Sequence, residues 1–239
     1  MDSTAGAPRP DGDERRVGEH ADAGETRAVD GRVPGRRGQA TRRRLLECTA
    51  RLLADASYRD LKVVDIAREA GTSPATFYQY FPDANAAIVS LAEDMAADGN
   101  SRLVDLVRSG SWVGVDGYAT AVAIADGFLQ FWETNAALMR VIELTVAEGD
   151  QRFQSIRLDL LHEFTVALAK VIASEQESTR VADPLDPMAT ASVLVSMLAH
   201  VAAHREGFEP YGMDSSQLRA SMAHIVWTTV TGQPVPAAR

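Results

Sequence analysis

The sequence predicts an all-α fold, with a small N-terminal three-helix unit followed by a larger helical body. Three observations predict it. Apolar residues recur at helical spacing through long stretches of the 239 residues, and no stretch alternates in the manner of a strand. Residues 62–85 contain two short helical patterns with a stop and a restart between them. Beyond them, clusters of Gly, Pro and Asp at 82–83, 110–117, 149–150, 183–187 and 207–212 cut the chain into segments of helix length. With 46% hydrophobic and 24% charged residues, the chain is long enough for a sizeable core in one or two domains.

Residues 1–36 are rich in Gly, Pro, Asp, Glu and Arg and almost lack large apolar side chains. Burial cannot offset the entropy of ordering them, so a disordered arm is expected. From Gln39 to about Ala56, Leu45, Leu46, Ala50, Leu52 and Leu53 form the stripe of a first helix. Tyr58 and Leu61 close the connection beneath it. Val63, Ile66, Ala67 and Ala70 then mark a short helix that Gly71 ends, because glycine enters the left-handed region at little cost. Ser73 is placed to cap the next helix and Pro74 to open it, where a missing N–H costs nothing. Two helices joined this closely must diverge steeply, which is helix-turn-helix geometry. Phe77 and Phe81, at i and i+4, face inward, with Leu45, Cys48, Leu52, Leu61 and Ile66 completing the core. Ala75, Thr76 and Gln79 face outward, flanked by Tyr78 and Tyr80. Hydroxyl, amide and small apolar groups on such a face suit phosphate oxygens, base edges and thymine methyls. The unit spans 37–83 and is expected to bind DNA.

The body spans 84–232, with a flexible tail at 233–239. Asp83 caps a helix over about 84–108 that frays near Gly99 and links the unit to the remaining helices. Gly110 to Gly117 reads as a loop. Helices are expected at 118–134, 136–148 and 151 to about 176; Pro187 opens another to about Arg205, and the last runs over about 214–231. Trp112, Phe128, Phe131, Trp132, Met139, Phe153 and Phe164 provide a bulky apolar lining, read either as ordinary core or as a ligand cavity. In the second reading Glu143, Gln154, Arg157 and His162 orient a largely hydrophobic molecule. Val193, Leu194, Met197, Leu198, Val201 and Ala202, and then Leu218, Met222, Ile225, Val226 and Trp227, leave the last two helices apolar over much of their circumference. Such a pair calls for burial on more than one side.

Charge is distributed unevenly. The net is −9, yet residues 31–80 carry ten Lys/Arg against five Asp/Glu, while 1–30 and 81–239 are net acidic. Positive charge thus gathers on the segment that holds the outward face, and the acidic remainder repels DNA and orients the approach. Arg32, Arg36, Arg37, Arg42, Arg43 and Arg44 form a basic stretch that either tracks phosphates or is a solvated tail. The single Cys48 excludes an internal disulfide and suits a buried thiol. No apolar run approaches the ~20 residues of a membrane span, and the N-terminus lacks the apolar core of a signal peptide, so a cytoplasmic location is expected. His200 and His204, at i and i+4, have metal-capable spacing, but nothing nearer than Glu206 or His224 could complete a site. No cofactor is expected. His162 and Glu163 beside Asp159 and Arg157 lack any nucleophile motif or phosphate-cradling loop, so no catalytic residue is assigned.

Val64-Asp65-Ile66-Ala67-Arg68-Glu69-Ala70-Gly71 followed by Thr72-Ser73-Pro74-Ala75-Thr76-Phe77-Tyr78-Gln79-Tyr80-Phe81-Pro82-Asp83 closely resembles the DNA-binding signature of the TetR family of bacterial one-component transcription regulators. The likeness extends upstream through Thr41 to Ala50. It implies an N-terminal helix-turn-helix domain and a C-terminal helical domain that binds ligand and dimerises. The residues matching the family's DNA contacts are Thr72, Ser73, Pro74, Ala75, Thr76, Tyr78, Gln79 and Tyr80, joined here by Arg36, Arg37, Arg43 and Lys62. Tyr78 and Tyr80 would reach phosphate or sugar, and Thr76 and Gln79 base edges. Ala84 and Val64 stand where relatives often carry Lys or a polar residue, which removes two backbone contacts. The resemblance also implies a two-fold dimer through the helices at about 187–205 and 214–231, facing a palindromic operator. The combined reading is a repressor released from DNA by a small hydrophobic effector. A ligand-independent regulator, or a helical carrier or enzyme with a vestigial head, stands as the alternative.

Overall fold

The computed structural model describes residues 35–180 and 182–237, and among them every regular element is helical. Three helices form the head: α1 (Arg36–Asp55), α2 (Val63–Glu69) and α3 (Pro74–Tyr78), with a 3₁₀ turn at Tyr58–Asp60. Six build the body: α4 (Ala84–Ser109), α5 (Gly114–Thr134), α6 (Ala136–Ala147), α7 (Gln151–Thr179), α8 (Pro187–Ala203) and α9 (Ser215–Thr231). A second 3₁₀ segment, Arg205–Tyr211, fills the interval read from sequence as a plain break and ends at Gly212, φ 77°.

The head has its own core. Leu45, Cys48, Ile66, Phe77 and Phe81 are buried there, with Leu46 and Ala67, while Leu52 and Leu61 pack on it half-buried. Helix α1 begins at Arg36 rather than Gln39, so the arm expected to run to residue 36 gives way to helix before its end. Gly35 accepts the first turn's bond from the Gln39 N–H, and Arg, Gln and Ala are strong helix formers, so the helix outruns its apolar stripe. Residues 1–34, including Arg32, lie outside the described residues.

The body is centred on α7, which packs along α4 and α8, and on α5, which packs along α9. Two glycines read from sequence as weak points are packing devices instead. Helix α4 runs unbroken through buried Gly99, where an added Cβ would lie 2.2 Å from the Phe131 ring. Helix α5 starts at Gly114, inside the expected loop, and takes in Gly117 because Trp112 and Trp227 close over that position. The expected free tail is tied down at its start. Trp227 Nε1 donates to the Pro234 carbonyl at 3.1 Å, and Val235 packs on the body core. Side-chain caps at Asp83, Asp150, Asp186 and Asp214 open α4, α7, α8 and α9. A hydrogen bond from Arg152 holds the Asp150 carboxyl below the usual carboxylate range.

Candidate nucleic-acid interface and effector groove

The turn between α2 and α3 is built from backbone geometry. Gly71 sits at φ 61°; its N–H donates to the Arg68 carbonyl and the Thr72 N–H to the Ala67 carbonyl, the paired bonds of a Schellman stop. Ser73 Oγ then accepts from the Thr76 N–H at 3.2 Å and lies 3.0 Å from Thr76 Oγ1. Stop and start are two residues apart. Phe77 is fully buried and tilts against Phe81 at 5.5 Å, which turns the other side of α3 outward. Ser73, Pro74, Ala75 and Gln79 are exposed, Tyr78 is 52% exposed, and Thr72, Thr76 and Tyr80 are half-buried. Tyr80 leans on the head core, so less of it is free than its flanking place suggested.

The cations of the head differ in their freedom. Arg36 and Arg37 stand exposed in the first turn of α1, Arg43 is exposed further along it, and Lys62 is exposed at the start of α2. Arg42 is different. It lies over the Phe81 ring at 5.4 Å, and its side chain reaches within 3.8 Å of Asp94 on α4, so it fastens head to body instead of facing outward. Burial pushes the nearby Glu93 carboxyl up, Asp94 adds to that shift and Arg42 opposes it. Arg68 is paired with Asp65 at 2.7 Å. Val64 is 54% exposed, and Ala84 opens α4 behind the Asp83 cap.

A second joint ties the head to α6. Glu148, at the C-cap of α6, accepts from the Tyr58 hydroxyl at 2.9 Å and pairs with Arg59. The middle of the same helix, Met139 to Glu143, forms one wall of a groove of about 770 Å³ between α6, α7 and α8. Its floor is apolar and buried: Trp132, Met139, Ile142, Leu160 and Val195. Its rim is polar and exposed, with Glu143 from α6, Arg157 and His162 from α7, and His200 and His204 from α8. A third feature lies on the far side of α8. There Leu185, Ala189, Val193, Met197, Ile225 and Thr229 line an apolar groove between α8 and α9, with Val193 70% and Leu185 69% exposed.

A family model described as the Tetracyclin repressor-like, C-terminal domain matches residues 103–237, over half the chain, and one described as Bacterial regulatory proteins, tetR family, matches residues 45–85. The chain belongs to the TetR family. It is a helix-turn-helix, DNA-binding transcriptional regulator. The chain is similar to the HTH-type transcriptional regulator EthR of Mycolicibacterium smegmatis, 24% identical over 88% of this chain and 95% of the relative. It is also 25% identical to an uncharacterised HTH-type transcriptional regulator of Haemophilus influenzae, over 58% of this chain and 66% of that one. Among solved structures, the fold matches a FadR regulator of Bacillus subtilis in complex with stearoyl-CoA, with a TM-score of 0.61, 13% identity, and coverage of 78% of this chain and 98% of that one. Reduced NemR of E. coli superposes with a TM-score of 0.60 and 20% identity, covering 77% of this chain and 95% of that one.

In this TetR-family body only part of the expected lining comes together. Trp132, Met139, Glu143 and Arg157 line the α6–α7–α8 groove. Phe128, Phe153 and Phe164 do not; they are wholly buried, Phe128 lying 5.2 Å from Phe164 and stacked on Trp132 at 5.6 Å. Trp112 is buried near Trp227, and Phe131 lies against Gly99. Phe128, Phe153 and Phe164 form core because α5 and α7 turn them inward, Trp112 is buried from the connection between α4 and α5, and Phe131 is half-buried, none of which helical spacing alone reveals. Sequence reasoning passed over the α8 contribution of Ser192, Ser196 and Ala199. Their repeat at three and four residues was the available signal. His200 and His204 stack at 4.3 Å on that same wall, and among the described residues no third metal-ligating side chain joins them. Among the described residues no single helix is long and apolar enough to cross a membrane.

Proposed function

We propose that the protein is a homodimeric repressor that leaves a palindromic operator when a small molecule fills the α6–α7–α8 groove. The observation that carries this reading is the double duty of α6, which walls the groove along its middle and holds the head through Glu148 at its C-cap. A ligand that favours one position of α6 biases the spacing of two heads that must meet successive major grooves about 34 Å apart. The dimer forms through α8 and α9, whose apolar groove would be covered by the same pair of helices in a second copy. The head occupies 37–83 and the ligand-binding and dimerising body 84–232, acting on DNA in the bacterial cytoplasm.

Thr76 and Gln79 read base edges; Thr72, Ser73, Pro74, Ala75, Tyr78 and Tyr80 meet backbone and thymine methyls; Arg36, Arg37, Arg43 and Lys62 take phosphates. Selection of bound sequences from random duplex DNA tests this directly. Gln79→Ala is expected to keep overall binding while losing about 1 to 3 kcal/mol of preference at a fixed position in each half-site. Selection of no palindrome, with weak and steeply salt-dependent binding alone, would overturn the dimeric reader.

Glu148→Ala tests the route through α6. The Arg59 and Glu148 side chains are 65% and 45% exposed, so their pair adds under about 1 kcal/mol to stability and the melting temperature should barely move. Operator affinity should nevertheless fall, because a looser head loses more freedom on binding. If affinity measured by fluorescence anisotropy is unchanged, α6 is not the link.

A further inference from the structure

The groove has the polarity of an amphiphile, and we infer that it takes one with an anionic head, a carboxylate or a phosphate ester, on an apolar tail. This rests on the reading of the groove as the effector site and names the chemistry that site selects. The volume, about 770 Å³, is that of an ordinary small-molecule site. Depth decides how a ligand lies in it. Ile142 and Leu160 are sealed beneath it, the apolar surface a ligand can reach comes from Leu158 (68% exposed), Met188 (46%) and half-buried Leu161, and every charged or imidazole group is at the exposed rim. A tail lies along Leu158, Leu161, Met188 and Ala199, above the buried Ile142 and Leu160, and a head stays at the mouth in contact with water.

The sign of the head comes from the rim's donors. Arg157 carries a permanent positive charge and a fork of N–H groups that matches carboxylate and phosphate oxygens. His162 and His200 add ring nitrogens, and His204 adds its Nε2 alone, since its Nδ1 lies 3.0 Å from the His200 carbonyl. Against these four stands one carboxylate, Glu143. The hydroxyls along the wall do not supply donors. Ser192, Ser196 and Thr165 each donate to the carbonyl four residues earlier, at 2.8, 2.8 and 2.7 Å. Arg108, Arg152 and Arg219 of the body are matched by Glu163, Asp150 and Asp126, and among the described residues no such ion pair includes Arg157. Among the described residues, then, no carboxylate holds the Arg157 guanidinium at the mouth of the groove.

The test uses the full-length dimer and four probes with one ten-carbon tail: decanoate, decyl phosphate, decanol and decyltrimethylammonium. Calorimetry reads binding, and a labelled operator duplex reads release separately. The expected result is binding of decanoate, decyl phosphate or both at least tenfold tighter than decanol, with decyltrimethylammonium weakest. The better of the two anions identifies the head as carboxylate or phosphate ester. Arg157→Gln, exposed and therefore tolerated by the fold, should lower affinity for the anions at least tenfold and leave decanol unchanged. Equal binding of all four heads, tighter binding of the cation, or indifference of the anions to Arg157→Gln overturns the inference. Anion binding with the Arg157 dependence but no operator release supports the site while removing its regulatory role. Release by decanol or the cation with no anion binding overturns the site's chemistry while keeping that role.

Discussion

Phe77→Ala is expected to abolish DNA binding by melting the head while the body stays folded. Phe77 is 0% exposed, lies edge-on to Tyr78 at 5.9 Å and against Phe81 at 5.5 Å, and is with Phe81 the largest buried side chain in a core distinct from that of the body. Leu61 and Leu91 touch both cores, so the head is braced but not submerged. Truncating a buried Phe costs about 3 to 5 kcal/mol. A unit of the head's size has little more than that to lose, since folded proteins hold about 0.05 to 0.15 kcal/mol per residue. A far-UV circular dichroism melt of the variant should therefore show an early transition of roughly the head's helix content, followed by the body's own. Sedimentation should give the same oligomeric state as the parent protein. Phe77→Leu, which keeps most of the volume, should cost under about 1.5 kcal/mol and retain DNA binding. A single transition at the parent temperature for Phe77→Ala would contradict the two-core account.

The same residue explains why the head was legible in the sequence. Its signals are local: Phe77 and Phe81 lie one turn apart, and Gly71, Ser73 and Pro74 each impose a backbone state on their own position. A local rule reads local geometry. The body differs because its decisive contacts join residues far apart in the chain. Gly99 and Gly117 read as breaks until Phe131 and Trp227 are placed beside them. Phe128, Phe153 and Phe164 have the same helical spacing as a groove lining and as a core, and only the directions of α5 and α7 separate the two. Arg42 belongs to a basic run, yet Phe81 and Asp94 draw it inward. Glu148 carried no signal at all, since its partners, Tyr58 and Arg59, lie ninety and eighty-nine residues away.

Gly117→Ala is expected to destabilise the body by about 1 to 3 kcal/mol, and the sign of that change is what makes it informative. Gly117 lies within α5, where helix propensity alone would make alanine stabilising by about 0.5 to 1 kcal/mol. Space argues the other way. A Cβ at this position would stand 2.6 Å from the Trp112 carbonyl carbon and 2.6 Å from Cζ3 of Trp227. The indole has little room to retreat: it is 0% exposed, meets Tyr118 edge-on at 6.3 Å and is anchored to the Pro234 carbonyl. The strain therefore passes to α9, whose outer residues Ile225 and Thr229 line the apolar groove shared with α8. Urea unfolding should show a lower midpoint with an unchanged slope, and the dimer should dissociate at higher protein concentration than the parent. A double-mutant cycle with Trp227→Leu divides the cause. Removing the indole frees one of the two obstacles, so Gly117→Ala should cost less in that background, with a coupling of about 0.5 to 3 kcal/mol. The cost that persists belongs to the Trp112 backbone, which no side-chain change relieves. A stabilising Gly117→Ala would mean that α5 and α9 pack less closely than the 2.6 Å approach requires.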